Sequence, residues 1–283
     1  MIIASFTTIP DRLEAGLPER CIKSLLAQTR AADLILLNIP YVSSKGIPYN
    51  KQAADSLAGP SVVVNWMMTD YGPITKLFGT LEYIERKGIK GARILLVDDD
   101  VTYAPWTFER LLDANLPAAG FISRDPVIAW GTVQDTVWKN RGSSAAPAAL
   151  LETYAGVVYN ADLFLPFAPF KKWFLELPAF CRKADDIVIA AWVQQKGVPL
   201  IRLPSGEDSA NHDAKGTTEL FRENLVGNNT AVLQYFFDRF YFMMWQTILS
   251  ILRAVIVSYG WIGVAVAIIV FILVQGRSKK KLL

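Results

Sequence analysis

The sequence predicts an α/β fold, a mixed but mostly parallel sheet flanked by helices, followed by a C-terminal transmembrane helix. Two observations predict it. Short apolar runs rich in β-branched residues alternate with segments of helical period, the pattern of strands joined by helical crossovers. Later, from 254 to 274, the chain carries no charged residue, a stretch that matches the ~20 apolar residues needed to cross a bilayer.

The elements follow in order. Residues 2–6 form the first strand. A helix is predicted over 19–28, where Cys21, Ile22, Leu25 and Leu26 share a face against Arg20, Lys23 and Gln28. Strands are predicted at 34–39 and 62–66, then a helix over 75–87 with Leu77, Phe78, Leu81 and Ile84 inward and Gly88 as its stop. A strand at 94–97 runs straight into Asp98, Asp99 and Asp100, and a helix at about 105–115 places Pro105 in its first turn. Beyond residue 116 the texture is irregular, with Trp130 and Gly131 and a small-residue loop over 142–149. A strand at 154–159, a helix at 186–196 closed by Gly197, and a last strand at 198–203 complete a domain spanning 1–228, whose two halves share one sheet.

The rest of the chain reads as three short pieces. Residues 229–253 form an amphipathic or membrane-interface helix, 254–274 the transmembrane helix, with Tyr259 and Trp261 near one end, and 275–283 a basic tail. The net charge of +3 owes much to that tail, and the domain has no basic stripe with interleaved aromatics, so nucleic acid is not an expected partner. Lys280 and Lys281 before the final leucines have the form of a dilysine retrieval signal, and the positive-inside rule puts this end in the cytoplasm. No secretory signal is read after Met1. A helical hairpin, or a tail anchor that breaks the charge rule, reconciles the two, and either leaves the domain facing the cytoplasm with the sequon Asn228-Asn229-Thr230 silent. Cys21 and Cys181 form neither a disulfide framework nor a metal-ligand spacing.

Three consecutive carboxylates after an apolar strand are costly unless a cation meets them. In an extended strand Asp98 and Asp100 would share a face and Asp99 would oppose them. Hard oxygen donors of this kind suit Mg, Mn or Ca, whereas the bland reading is an acidic turn capping the helix near Pro105. Thr7, Thr8 and Arg12 after the first strand suit a ribose or phosphate, or else an ordinary helix-entry loop. Asp70-Tyr71-Gly72-Pro73-Ile74-Thr75-Lys76 places backbone donors, a hydroxyl and a cation at a helix start, where an anion binds well. His212 is the only histidine and lies in a polar stretch.

Residues 5–12 (Ser-Phe-Thr-Thr-Ile-Pro-Asp-Arg), 70–77 (Asp-Tyr-Gly-Pro-Ile-Thr-Lys-Leu) and 97–103 (Val-Asp-Asp-Asp-Val-Thr-Tyr), in that order, resemble a family of predicted glycosyltransferases of bacteria, algae and large DNA viruses. The resemblance covers about residues 1–215 and implies the GT-A, Rossmann-like fold of nucleotide-diphospho-sugar transferases. It implies that Asp100 ligates Mn or Mg and that Asp98 lies by the ribose or on the metal's water shell. It places Thr8, Arg12, Asp70 and Lys76 by the nucleotide, makes His212 a candidate late metal ligand, and offers Lys215 as a diphosphate contact. Asp185 and Asp186 resemble the acidic pair that supplies the base of inverting enzymes, with Asp185 as helix cap and Asp186 as base. Trp130, Tyr154 and Gly156 are sugar-contact candidates.

The expectation is therefore a membrane-anchored, metal-dependent hexosyl- or pentosyltransferase using a UDP- or GDP-sugar and a glycan, glycoprotein or glycolipid acceptor. Two alternatives are a sugar-nucleotide nucleotidyltransferase, for which residues 7–12 lack the glycines of a triphosphate loop, and a non-catalytic membrane-anchored binding module.

Overall fold

A computed structural model describes residues 1–129, 132–139, 144–205, 210–212 and 227–239. The chain divides into two compact units, Met1–Leu233 and Gln234–Leu283.

In the first unit, β1 (Ile2–Phe6) leads through two short helices, α1 (Pro10–Glu14) and α2 (Leu17–Leu26), to β2 (Leu34–Pro40), α3 (Lys51–Asp55) and β3 (Val62–Met67). A 3-10 turn at Gly72–Ile74 opens α4 (Thr75–Lys87), which ends on Gly88 in the left-handed conformation. Then come β4 (Arg93–Leu96), β5 (Val101–Tyr103), α5 (Thr107–Asp113), β6 (Ala118–Gly120), β7 (Ser123–Ala129), β8 (Thr132–Lys139), β9 (Ala146–Ala148), β10 (Leu150–Leu151) and β11 (Val157–Asn160). The series closes with α6 (Phe167–Glu176), α7 (Asp185–Gln195), β12 (Leu200–Arg202) and β13 (Ala210–His212).

Eight strands form one sheet in the order β3-β2-β1-β4-β11-β6-β12-β9. β3, β2, β1 and β4 are mutually parallel, and β11 runs antiparallel between β4 and β6. The sheet is thus mixed and mostly parallel, as expected, and it joins the two halves of the domain. Strands buried on both faces need apolar side chains on both. Ala4, Phe6, Ile35, Leu37 and Leu95 join the α2 residues Cys21, Ile22 and Leu25 and the α5 residues Phe108, Leu111 and Leu112 in one core cluster. On the opposite face, the Ser5 hydroxyl reaches α4, donating to the Lys76 carbonyl at 2.5 Å.

The sheet has a topological switch at β1. Successive strands β2 and β3 build outward on one side, and β4 is laid down on the other. The crevice beyond the carboxyl ends of β1 and β4 is where open α/β sheets bind ligands. Residues 7–12 leave β1 there, and Asp98–Asp100 leave β4 there.

Several expectations are corrected. The fourth strand ends at Leu96, and Asp99 and Asp100 lie in a turn, so strand alternation does not set the directions of the three aspartates. The strand expected at 154–159 is a 3-10 turn, Thr153–Ala155, followed by Gly156 at φ +87° and then β11. The irregular half also contains a hairpin of β7 and β8, extended by β10 into a three-stranded sheet. Among the described residues no helix is long and apolar enough to cross a membrane. The span at 254–274 and the basic tail lie outside the described residues, as do Trp130 and Lys215.

Candidate active site

The three aspartates part ways in the turn after β4. Asp99 is buried and accepts hydrogen bonds from the Thr8 hydroxyl (2.5 Å) and from Arg12 Nη1 (2.5 Å). Arg12 Nη2 ion-pairs with Asp100 Oδ2 at 2.8 Å, so one guanidinium serves the two neighbouring carboxylates. Asp98 faces elsewhere and accepts from Lys76 Nζ at 2.7 Å. It is also the most exposed of the three, its side chain 31% accessible against 4% for Asp99 and 11% for Asp100. The pairing that strand alternation predicted, Asp98 with Asp100, is replaced by Asp99 with Asp100, because a turn and not a strand carries them.

Lys76 is the hub of a second cluster. Its buried ammonium donates to Asp98 Oδ1 and, at 2.6 Å, to Thr153 Oγ1, and it lies 3.0 Å from Asp185 Oδ2 in an ionic contact without hydrogen-bond alignment. The Thr153 hydroxyl in turn donates to Asp186 Oδ1 at 2.7 Å, and the Thr153 backbone N–H lies 3.3 Å from the same oxygen. A hydroxyl has one proton, so the sequence of donation is Lys76 to Thr153 to Asp186. The anion expected at Lys76 is therefore supplied by the chain's own carboxylates.

Neither acidic residue of α7 is its cap. The N-cap is Ala184, without a side-chain bond, and Asp185 and Asp186 are the first two helical residues. That corrects the expected division into Asp185 as cap and Asp186 as base: Asp185 meets Lys76 and Asp186 meets Thr153. Burial and the charges of Asp185 and Glu152 hold the Asp186 carboxyl well above the usual carboxylate range, against the pull of Lys76. Burial lowers the affinity of Lys76 for its proton, but Asp185, Asp98 and Asp186 more than reverse this. Burial also raises Asp99 to about 6, opposed by Arg12 and Thr8.

Four residues that sequence patterns did not single out complete the site. Glu152 is buried and its charge helps to raise Asp186, and Arg124 Nε ion-pairs with Glu152 Oε1 at 2.8 Å. Thr153 bridges Lys76 and Asp186. The Tyr103 hydroxyl accepts from the Asp98 backbone N–H (2.9 Å) and donates to the Tyr154 carbonyl (2.8 Å), fastening the turn to the 153–155 segment. A faint signal existed for Glu152, a lone carboxylate between two apolar leucines and the Thr153-Tyr154 turn; Arg124 had none.

The remaining candidates fall into place differently. Asp70 caps its own turn, accepting from the backbone of Ser44 (2.7 Å) and Gly72 (2.8 Å). Thr75 is buried and bonded within that turn. At Gly156 a Cβ would sit 3.3 Å from Leu111 and Thr107, so its size serves packing against α5. His212 pairs in register with Val101, one residue from Asp100, because β13 runs antiparallel to β5.

Six carboxyl groups (Asp98, Asp99, Asp100, Glu152, Asp185, Asp186) face three cations (Arg12, Lys76, Arg124) across these contacts. Such a surplus of negative charge is relieved by protons or by a cation. The donor chemistry of Asp98 and Asp100 fits Mn or Mg. Among the described residues no three His, Cys, Asp or Glu side chains form a metal-holding group; the backbone of His212 lies next to the aspartates in register.

No family model and no curated protein sequence matches the chain. Solved structures that align with it include the nucleoside-diphosphate-sugar pyrophosphorylase from Vibrio cholerae RC9, at 13% identity and TM-score 0.45, over 80% of this chain and 100% of that one. A second is a 4-diphosphocytidyl-2C-methyl-D-erythritol synthase, at 12% identity and TM-score 0.39, over 81% and 96%. Both superpositions are loose.

Proposed function

We propose that the chain is a glycosyltransferase that moves a monosaccharide from a nucleoside-diphosphate sugar to a hydroxyl of a glycan, glycoprotein or glycolipid, with inversion. One observation carries the reading. Asp98 at the end of β4 and the Asp185-Asp186 pair at the start of α7 converge on Lys76 and Thr153, beside the switch point of the sheet.

In this reading Asp186 takes the proton of the acceptor hydroxyl as that oxygen attacks the anomeric carbon. The bond from that carbon to the diphosphate breaks, and its electron pair leaves on the phosphate oxygen. Thr153 and Lys76 hold Asp186 and Asp98 in position, and Arg12 holds Asp100. Asp100 and His212 would hold a Mn or Mg ion, with Asp98 on its water shell, and the ion when bound would stabilise the charge of the departing diphosphate. Thr8, Arg12 and Asp70 would meet the nucleotide and Lys215 its diphosphate, with UDP and GDP as the candidate nucleotides. The 254–274 segment anchors the enzyme, with the domain on the cytoplasmic face.

The test is a panel of UDP- and GDP-sugars, assayed with Mn for hydrolysis and for transfer to simple glycosides, on the full chain. Turnover of at least one donor is expected, with Asp186→Asn and Asp100→Asn each lowering it by about 10²-fold or more. No turnover across the panel, or unchanged turnover in Asp100→Asn, overturns the reading. Release of pyrophosphate from a nucleoside triphosphate and a sugar phosphate would replace it with nucleotidyl transfer.

A further inference from the structure

β1, β2 and β3 run parallel, so the segments that follow them leave the same edge of the sheet, the edge on which the site opens. Exposed apolar side chains gather along it. Ile9 follows β1, Val42 and Ile47 lie in the loop after β2, and Met68, 88% exposed, follows β3. Helix α6 brings two more. Its Phe167 backbone N–H donates to Glu85 (2.8 Å) near the end of α4, and its Lys171 ammonium donates to Glu82 (3.0 Å) and stands 5.1 Å from the Tyr71 ring, so α6 runs back along α4 toward the same edge. Leu175 near its end and Phe180 beyond it are exposed. A Cβ on Gly72 would lie 4.0 Å from the Arg182 carbonyl, which keeps the segment after Phe180 against the loop that follows β3.

This rim is braced from behind. Val42 pairs with Pro48 across the loop after β2, the Ser43 backbone N–H donates to the Ile47 carbonyl (2.8 Å), and the buried Tyr49 hydroxyl donates to the Thr8 carbonyl (2.8 Å) beside the site. The apolar residues are thus held out in water, which a covering partner would relieve. Cations accompany them. Residues 41–51 carry Lys45 and Lys51 and no carboxylate, and residues 171–183 carry Lys171, Lys172, Arg182 and Lys183 against Glu176 alone. Asp70, the carboxylate of the loop after β3, accepts from the backbone of Ser44 and Gly72.

Apolar side chains interleaved with Lys and Arg suit a bilayer with anionic head groups: the apolar groups enter the acyl boundary while the long cationic side chains meet phosphates. The same chain has an uncharged stretch of membrane-spanning length at 254–274. We infer that the rim formed by the loops after β1, β2 and β3 and the end of α6 rests on an anionic bilayer surface, so that the mouth of the site faces lipid. The contact goes beyond the glycosyltransferase reading; the acceptor class it points to, a lipid-linked hydroxyl compound, rests on that reading. An acceptor whose lipid stays in the bilayer presents its hydroxyl among the head groups, where the site opens.

The test uses nitroxide labels on the full chain, one at a time at Met68→Cys, Leu175→Cys and, on the loop between α4 and β4 at the opposite edge, Lys90→Cys; both native cysteines are buried. Relaxation by oxygen, which partitions into lipid, and by a water-soluble nickel chelate is read in vesicles of phosphatidylcholine and phosphatidylglycerol. The labels at 68 and 175 should lose access to nickel and gain access to oxygen, while the label at 90 stays open to nickel. In phosphatidylcholine alone, or at high salt, the shielding should weaken. Labels at 68 and 175 as open to nickel as the label at 90 overturn the contact. Shielding that ignores both lipid charge and salt overturns the anionic surface. Shielding without vesicles, with a doubled mass in solution, replaces the bilayer with a second copy of the chain.

No substrate enters these measurements, so the two ideas fail separately. A shielded rim on a protein inactive across the donor panel fails the glycosyltransferase reading alone, and an active enzyme with a water-open rim fails the contact alone. Where both hold, the double variant Met68→Asp with Leu175→Asp should lower transfer to a lipid-linked acceptor in vesicles by about tenfold or more. Its transfer to a soluble glycoside should be unchanged, and an equal loss with both acceptors overturns the lipid-linked assignment.

Discussion

Asp99 shows how burial and pairing compete at a single residue. Its carboxyl is raised from 3.8 to about 6 because burial outweighs Arg12 and Thr8. A group whose folded pKa lies above its unfolded value stabilises the fold in its protonated form, so its contribution is full below about 4 and is lost as pH rises through about 6. Over that window it amounts to at most about 3 kcal/mol. Asp99→Asn should therefore remove part of the fall in stability between pH 4 and pH 7, read from urea unfolding at each pH. An unchanged slope in the variant would contradict the assignment. Thr153 sits at the other extreme, a small residue whose single proton links two charged ones. Thr153→Val should cost about 1–3 kcal/mol of stability by leaving buried polar groups unpaired. In the glycosyltransferase reading it also lowers kcat/KM by about tenfold, while Thr153→Ser retains most of both. A valine variant as stable and active as the parent would show that the relay does nothing.

At the scale of elements, α4 positions the site. Its carbonyl at Lys76 receives the Ser5 hydroxyl, the Asn38 amide (3.1 Å) and the Thr80 hydroxyl (3.0 Å), so the helix is fastened to the sheet at the very residue whose ammonium meets the aspartates. The approach is close because residue 79 is glycine: a Cβ there would stand 2.3 Å from Asn38 Oδ1 and 2.5 Å from Met67 Sδ. Gly79→Ala should destabilise the domain by about 1–3 kcal/mol through overpacking, read from thermal or urea unfolding, and shift Lys76 with the helix. A neutral outcome would mean that Asn38 and Met67 move aside freely. The span of α4 was legible in the sequence to the residue, since helical spacing and a terminal glycine are local signals. The turn at Asp98–Asp100 was not: whether an apolar run continues for two more residues depends on pairing partners elsewhere, and β4 loses its partners at Leu96. The strand expected at 154–159 gives way to the 153–155 turn for the same reason.

At the scale of the whole molecule, the Met1–Leu233 unit holds the complete sheet and every described site residue. A fragment of residues 1–233 should fold on its own, with cooperative unfolding and resistance to limited proteolysis. A fragment that fails to unfold cooperatively would show that the second unit is needed for the first. What the sequence determined was the first four strands of the sheet, the helices α2, α4, α5 and α7, and most of the charged candidates: Arg12, Lys76, Asp98, Asp100, Asp185 and Asp186. Periodicity, caps and charged clusters are properties of neighbouring residues, so they can be read along the chain. Only the tertiary structure decided who meets whom: Arg12 on Asp99 and Asp100, Lys76 between Asp98 and Asp185, and Arg124 on Glu152. Those contacts join residues as far as 109 positions apart in the chain, from Lys76 to Asp185, and a shift of one residue in any strand or turn would exchange one partner for another.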